Sequence, residues 1–184
     1  CPEAAHRLIL AMESTRLGKC LEGAVTLLKS QADKSSWTTP DGAFYGTGEP
    51  KGSLAFLFPG QGSQYLGMSG SLAMSFDSAR GPWDRAADLE LGGDRRLDQV
   101  VFPIPRFDED SLADDEARLR ATEWAQPAIG NTSLSLLAVL TDLGVKAEAV
   151  AGDSFGEVTA LYAAGVLTEQ DLLRVARRRG EVMA

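Results

Sequence analysis

Two short apolar runs, each stopped by glycine, organise this chain. Leu54-Ala55-Phe56-Leu57-Phe58 is halted by Pro59-Gly60, and the small-residue run Ala147 to Ala151 is halted by Gly152. Continuous runs of this length suit strands buried on both faces of a parallel sheet. Longer segments with helical spacing lie around them. Leu66 to Leu89 reads as two helices broken at Gly81-Pro82, Ser111 to Trp124 as a third, and Gln126 to Leu143 as a long apolar one ended by Gly144. Leu97 to Phe102 fits either a short strand or part of a helix. Phe155 to Ala164 follows the second strand and is closed by Gly165. Thr168, with Asp171 three residues on, caps a last helix that still runs at Ala184. Upstream, Arg7 to Met12 reads as a strand and Ser14 to Ser30 as a helix carrying Leu17, Leu21, Val25 and Leu28. The Ser-, Thr-, Gly- and Pro-rich stretch Lys34 to Lys51 reads as a connector. Strands alternating with helices predict an α/β fold, a hydrolase-like core with a mainly parallel sheet flanked by helices. A small α+β region precedes it, with the boundary at residue 50, so residues 1–50 and 51–184 form the expected units. Two strands do not complete such a core, and the pattern reads as part of a longer polypeptide.

Composition narrows the function classes. With 184 residues, 44% of them hydrophobic, the chain can bury one core of ordinary size. A formal net charge of −8 opposes a nucleic-acid surface, and its acidity gathers in Asp108 to Glu116, which reads as a solvated loop and helix start. No apolar run approaches the roughly 20 residues that span a bilayer, and no signal-peptide pattern opens the chain. Cys1 and Cys20 are the only cysteines, which argues against a disulfide framework or a cysteine-rich metal site and fits a cytoplasmic setting.

The chemistry concentrates at Gly152-Asp153-Ser154-Phe155-Gly156. Glycines flanking a serine between a strand and a helix have the layout of a nucleophile elbow. There the chain turns sharply, exposes the hydroxyl and aims the following N–H groups at one point. Phe58-Pro59-Gly60-Gln61-Gly62-Ser63-Gln64 leaves the first strand in a comparable turn. Loops at the carboxyl ends of neighbouring parallel strands meet in one crevice. The backbone N–H groups of Gln61 and Phe155 could therefore form an oxyanion hole for Ser154.

Together these two segments resemble the malonyl-CoA:acyl-carrier-protein transacylases and the acyltransferase domains of polyketide and fatty acid synthases. Trp124-Ala125-Gln126-Pro127-Ala128 is similar to the family's Q-P-A helix start, and Arg179-Gly180-Glu181-Val182-Met183 to its R-G-x-x-M segment. Residues 1–50 stand where the ketosynthase–acyltransferase linker stands. Tyr45 to Gly52 looks most like iterative synthases of the enediyne or polyunsaturated fatty acid type. The resemblance implies ping-pong transfer of malonyl from CoA to the phosphopantetheine thiol of an acyl carrier protein, through an ester on Ser154. It implies oxyanion-hole positions at Gln61 and Phe155, a polar residue near the serine at Gln126, and a malonyl-carboxylate grip at Arg179. No bound cofactor or metal is implied. The implied partners are malonyl-CoA, the carrier protein, the ketosynthase and other domains of one synthase, and the C-terminal remainder of the acyltransferase; nucleic acid and membrane are not among them. Arg174, Arg177 and Arg178 read as a solvated helix face.

Two departures from that pattern stand out. Asp153 occupies the place of the family's usual histidine before the serine. The catalytic histidine of the family lies further downstream, and the one histidine here is His6. The 184-residue chain by itself is therefore expected to transfer little acyl group. Alternative readings are a serine hydrolase of esterase or patatin type, which needs neither the Gln61 loop nor Arg179, and a non-catalytic carrier-protein docking module.

Overall fold

The structure is a computed structural model that describes residues 6–48, 52–105 and 108–184. It divides into two compact units, 1–52 and 53–184. Cys1 and the Glu49-Pro50-Lys51 part of the Tyr45–Gly52 segment lie outside the described residues, as does the expected boundary at residue 50.

In the N-terminal unit, β1 (His6–Leu10) is followed by a 3-10 turn over Ser14–Arg16 and by α1 (Leu17–Ser30). The expected connector contains two strands, β2 (Ser36–Thr38) and β3 (Ala43–Thr47). They form an antiparallel sheet of order β1-β3-β2, with Leu8 opposite Tyr45 and Trp37 opposite Tyr45. The polar residues around Asp41-Gly42 make the hairpin turn, and Trp37 and Ala43 supply the buried points. They pack with Cys20 and Ala24 of α1. The helix therefore turns its small residues inward, and the expected apolar stripe of Leu17, Leu21 and Val25 is exposed.

In the C-terminal unit, β4 (Ala55–Phe58) pairs in parallel with β5 (Ala149–Gly152), Phe56 beside Val150 and Phe58 beside Gly152. Between them run α2 (Gly70–Ser75), α3 (Asp77–Ala87), α4 (Leu97–Val101), α5 (Glu109–Arg120) and α6 (Thr122–Asp142); α7 (Gly156–Ala163) and α8 (Glu169–Met183) follow. The break between α2 and α3 falls at Phe76, in extended backbone, whereas Pro82 lies buried inside α3. Pro82 is the sixth of the eleven residues of α3, so it forfeits the main-chain bond to the Ser78 carbonyl, yet the helix runs through it. Leu97–Val101 is helical. Helix α5 starts at Glu109, because Asp108 accepts the Ser111 N–H at 2.8 Å. Thr168 caps α8 as expected, accepting the Asp171 N–H at 3.1 Å.

One expectation is corrected outright. Neither β4 nor β5 is buried on both faces among the described residues: in β4, Phe58 is 7% exposed but Leu57 is 77% exposed, and in β5, Ala149 and Ala151 are exposed and Val150 is half-buried. Side chains alternate across a strand. Helix α7 packs on β4, where Phe58 is buried and Phe56 half-buried, and the Leu57 side is exposed among the described residues.

Two clusters form the core of this unit. One gathers Trp83, Leu97, Val101, Leu119, Trp124 and Leu173. The other gathers Ile129, Leu134, Phe155, Leu172 and Ala176. Helix α8 lies along α6, and that contact sets the position of the arginines discussed next. No helix among the described residues is long and apolar enough to cross a membrane.

Candidate active site

The parallel register ends both strands side by side, so the loops that leave them meet. The Asp153 N–H donates to the Phe58 carbonyl at 3.1 Å, which joins the two loop starts. Ser154 stands at the turn with φ 51°, in the left-handed region, and its side chain is exposed. Such a conformation costs a non-glycine residue about 1–3 kcal/mol and persists where the surroundings enforce it. The enforcement comes from both sides. Phe155 is fully buried among Ile129, Leu134 and Leu172 and anchors the turn in the core. Gly152 and Gly156 let backbones touch: a Cβ on Gly152 would lie 2.0 Å from the Gly156 carbonyl carbon, and one on Gly156 would lie 2.1 Å from the Phe58 oxygen.

The glutamine loop packs directly on this elbow. A Cβ on Gly60 would fall 2.7 Å from the Asp153 oxygen and 3.2 Å from the Ser154 Cβ. The loop also holds itself: the Gly62 N–H donates to Gln64 Oε1 at 2.8 Å and Ser63 Oγ to the Gly60 carbonyl at 2.9 Å. Gly62, at φ 108°, supplies the conformation that other residues resist. Among the described residues, the N–H groups of Gln61 and Phe155 have no acceptor.

The remaining sequence-predicted residues join the same place through side chains. Arg179 Nη1 donates to Gln126 Oε1 at 2.8 Å. Gln126 Nε2 donates to Thr122 Oγ1 at 2.9 Å, and the Thr122 hydroxyl donates to Gln61 Oε1 at 2.7 Å. Gln126 is fully buried. Thus Gln61, Gln126 and Arg179 belong to one chain of hydrogen bonds, and Thr122 is the member that sequence reading missed. Its only signal was its place one helical turn before Gln126, where side chains four apart share a face.

Helix α8 also separates its arginines by role. Arg177 is not part of a solvated face. Its guanidinium carbon lies 4.2 Å over the Trp124 ring, and its Nη1 donates to the Glu123 carbonyl at 3.2 Å. That carbonyl needs an outside donor because Pro127, four residues on, has no N–H to offer. Arg177, and after it Arg178, hold the Glu181 carboxyl below the usual carboxylate range by hydrogen bonding. Arg174 is exposed. Asp153 is exposed as well, beside the nucleophile. His6 engages the Tyr45 hydroxyl through Nδ1 at 2.7 Å, within the N-terminal unit. Among the described residues, no group of three or more His, Cys, Asp or Glu could hold a metal ion.

An exposed serine on a strained strand-to-helix turn, with unpaired N–H groups beside it and an arginine held by a buried amide, suits acyl transfer to a hydroxyl. Comparison with known proteins agrees. The malonyl CoA-acyl carrier protein transacylase of Bacillus subtilis (strain 168) is 37% identical over 131 residues, 71% of this chain and 37% of that protein. The acyltransferase domain from the second module of the salinomycin polyketide synthase superposes with a TM-score of 0.69 at 30% identity, covering 97% of this chain and 37% of that one. A malonyl-transacylase solved in complex with a type II polyketide synthase acyl-carrier protein gives 0.59 at 34% identity, over 72% of this chain and 39% of that one. The chain thus spans less than two-fifths of the length of each. Residues 55–184 match the acyl transferase domain family over most of the chain, and the chain belongs to that family.

Proposed function

We propose that this chain carries the nucleophile and acyl-binding part of a malonyl transfer site serving polyketide or fatty acid assembly. The observation that carries the reading is the continuous hydrogen-bond chain from Arg179 through Gln126 and Thr122 to the loop packed on Ser154. Ser154 Oγ attacks the thioester carbonyl of malonyl-CoA. The carbon–sulfur bond breaks, CoA leaves as the thiol, and the proton lost by Ser154 ends on that sulfur. The phosphopantetheine thiol of an acyl carrier protein then attacks the serine ester, and Ser154 regains its proton as the carbon–oxygen bond breaks. The Gln61 and Phe155 N–H groups receive the developing oxyanion in both halves; one such donor is worth about 3 kcal/mol. Arg179 grips the free malonyl carboxylate with its planar fork, and Gln126 holds that fork in place. CoA and phosphopantetheine enter as substrates, with no resident cofactor. Residues 1–50 act as the linker from a neighbouring ketosynthase, and residues 51–184 as the N-terminal part of the acyltransferase core.

The proton transfers need a base. His6, the one histidine of the sequence, is engaged with Tyr45. The 184 residues alone are expected to transfer malonyl slowly unless a base reaches Ser154 from outside them.

Peptide mass spectrometry of the full-length protein after exposure to malonyl-CoA tests the reading. A malonyl ester on the Ser154 peptide, discharged by holo carrier protein, is expected. Labelling by a neutral p-nitrophenyl ester together with inertness to malonyl-CoA would reject it. Arg179→Lys is expected to lower kcat/KM for malonyl-CoA by about 10- to 100-fold, the worth of a charge-assisted bidentate pair, and to change that for acetyl-CoA little.

Asp153 has a smaller, opposite effect. Two unit charges roughly 6 Å apart oppose one another by about 0.7 kcal/mol in a water-like dielectric. Because Asp153 is exposed, that lower bound applies rather than an interior value. Asp153→His is expected to raise the single-turnover rate of Ser154 acylation by about threefold; an unchanged or lower rate would show that the carboxylate is not felt at the oxyanion.

A further inference from the structure

We propose that Thr122 is a positioning residue, and that it acts through the Gln61 side chain to couple the carboxylate subsite to the oxyanion loop. The inference rests on the malonyl-transfer reading given above.

The chemistry of the donors fixes the sense of the chain. A guanidinium can only donate, so the Gln126 oxygen must face Arg179. Its Nε2 then faces Thr122 Oγ1, whose single proton is left for Gln61 Oε1. Every amide and hydroxyl is thereby oriented from Arg179 outward. A chain polarised in one direction strengthens each of its members. Among the described residues, the one other hydrogen-bond acceptor of Gln126 Nε2 is the Met183 sulfur at 3.8 Å, a weak one.

The loop needs this anchor. The bonds of Gly62 to Gln64 and of Ser63 to Gly60 lie within the loop and fix its shape, not its place on α6. Among the described residues, the Thr122 hydroxyl is the side-chain bond that ties Gln61 to that helix. The Gln61 backbone N–H, assigned above to the oxyanion, rides on the same residue. A carboxylate on Arg179 competes for the guanidinium protons that polarise Gln126, so the occupancy of Arg179 reaches Gln61 through Thr122. A site built in this way registers the malonyl carboxylate in kcat as well as in KM.

Steady-state kinetics of the full-length protein with malonyl-CoA and a holo carrier protein separate the possibilities. Thr122→Val keeps the shape and removes both hydrogen bonds; Thr122→Ser keeps them. Gln61→Met removes the acceptor from the exposed loop side while sparing the backbone N–H and the core, so it serves even if Thr122→Val folds poorly. Thr122→Val and Gln61→Met are each expected to lower kcat about tenfold, with KM changed less than about threefold. Thr122→Ser should stay near wild type. The double variant should be no worse than either single one, and the Thr122→Val effect should shrink in an Arg179→Ala background. Wild-type kcat in Gln61→Met, or additive losses in the double variant, would overturn the coupling while leaving malonyl transfer intact. Absence of malonyl transfer in the wild type would instead remove the reading beneath it, and the coupling with it.

Discussion

Replacing Ser154 by glycine is expected to abolish the acyl-enzyme and, at the same time, to stabilise the C-terminal unit. The two effects come from different atoms of one side chain, the hydroxyl that would carry the acyl group and the Cβ that carries the strain. Ser154 sits at φ 51°, where a Cβ meets its own backbone. Glycine removes that strain, about 1–2 kcal/mol, but loses about 0.5–1 kcal/mol by making the unfolded chain more flexible. A net gain on the order of 0.5–1 kcal/mol should remain, seen as a Tm higher by a few degrees in a thermal melt of the full-length protein. Ser154→Ala separates the causes, because alanine keeps the strained Cβ and lacks only the hydroxyl. It should lose the acyl-enzyme equally, by at least about 10⁴-fold in kcat, with no gain in Tm. A Tm for Ser154→Gly at or below that of Ser154→Ala would mean that the turn carries no strain. The trade is the ordinary one at active sites, where stability is given up to hold a reactive group in an exposed position.

The elbow was legible in the sequence because its requirements are local. A serine that must turn out of a strand needs small neighbours on both sides, and Gly152 and Gly156 meet other backbones at about van der Waals overlap. Gln61 was legible for the same reason, as a residue in a glycine-bounded turn after an apolar run. Thr122 was not. Its role depends on an approach across 61 positions of sequence, and nothing in the polar pattern at a helix start distinguishes a surface threonine from a bridging one. Arg177 escaped likewise. Three consecutive arginines look alike in sequence, and only the packing of α8 on α6 puts one over Trp124 and another on Gln126. The N-terminal strands β2 and β3 were hidden because three- to five-residue strands with a polar hairpin turn carry too little apolar alternation. Strand β4 was misjudged on one face for a related reason. An apolar run reports which side chains can be buried, and Leu57 is exposed all the same.

Gly180→Ala is the other substitution with a large expected effect, and it tests how α8 positions Arg179. Gly180 is buried against the start of α6, where a Cβ would lie 2.4 Å from the Glu123 Cα and 2.5 Å from the Thr122 oxygen. Those are backbone atoms of a well-packed helix and cannot step aside as a side-chain tip would. The methyl group must push α8 away from α6, which costs typically about 1–3 kcal/mol and offsets any gain in helix propensity. The same shift lengthens two bonds made by the residues just before the glycine, Arg179 to Gln126 at 2.8 Å and Arg177 to the Glu123 carbonyl at 3.2 Å. The expected outcome is a Tm lower by several degrees together with, on the proposed role of Arg179, a loss of malonyl-CoA turnover larger than that of acetyl-CoA. Gly23→Ala supplies the opposite sign. Gly23 lies in α1 with nothing within 4 Å of the added Cβ, so alanine should stabilise the N-terminal unit by about 0.8–1 kcal/mol and leave turnover unchanged. If Gly180→Ala instead behaved like Gly23→Ala, the close contact of α8 with α6 would not be what holds Arg179 against Gln126.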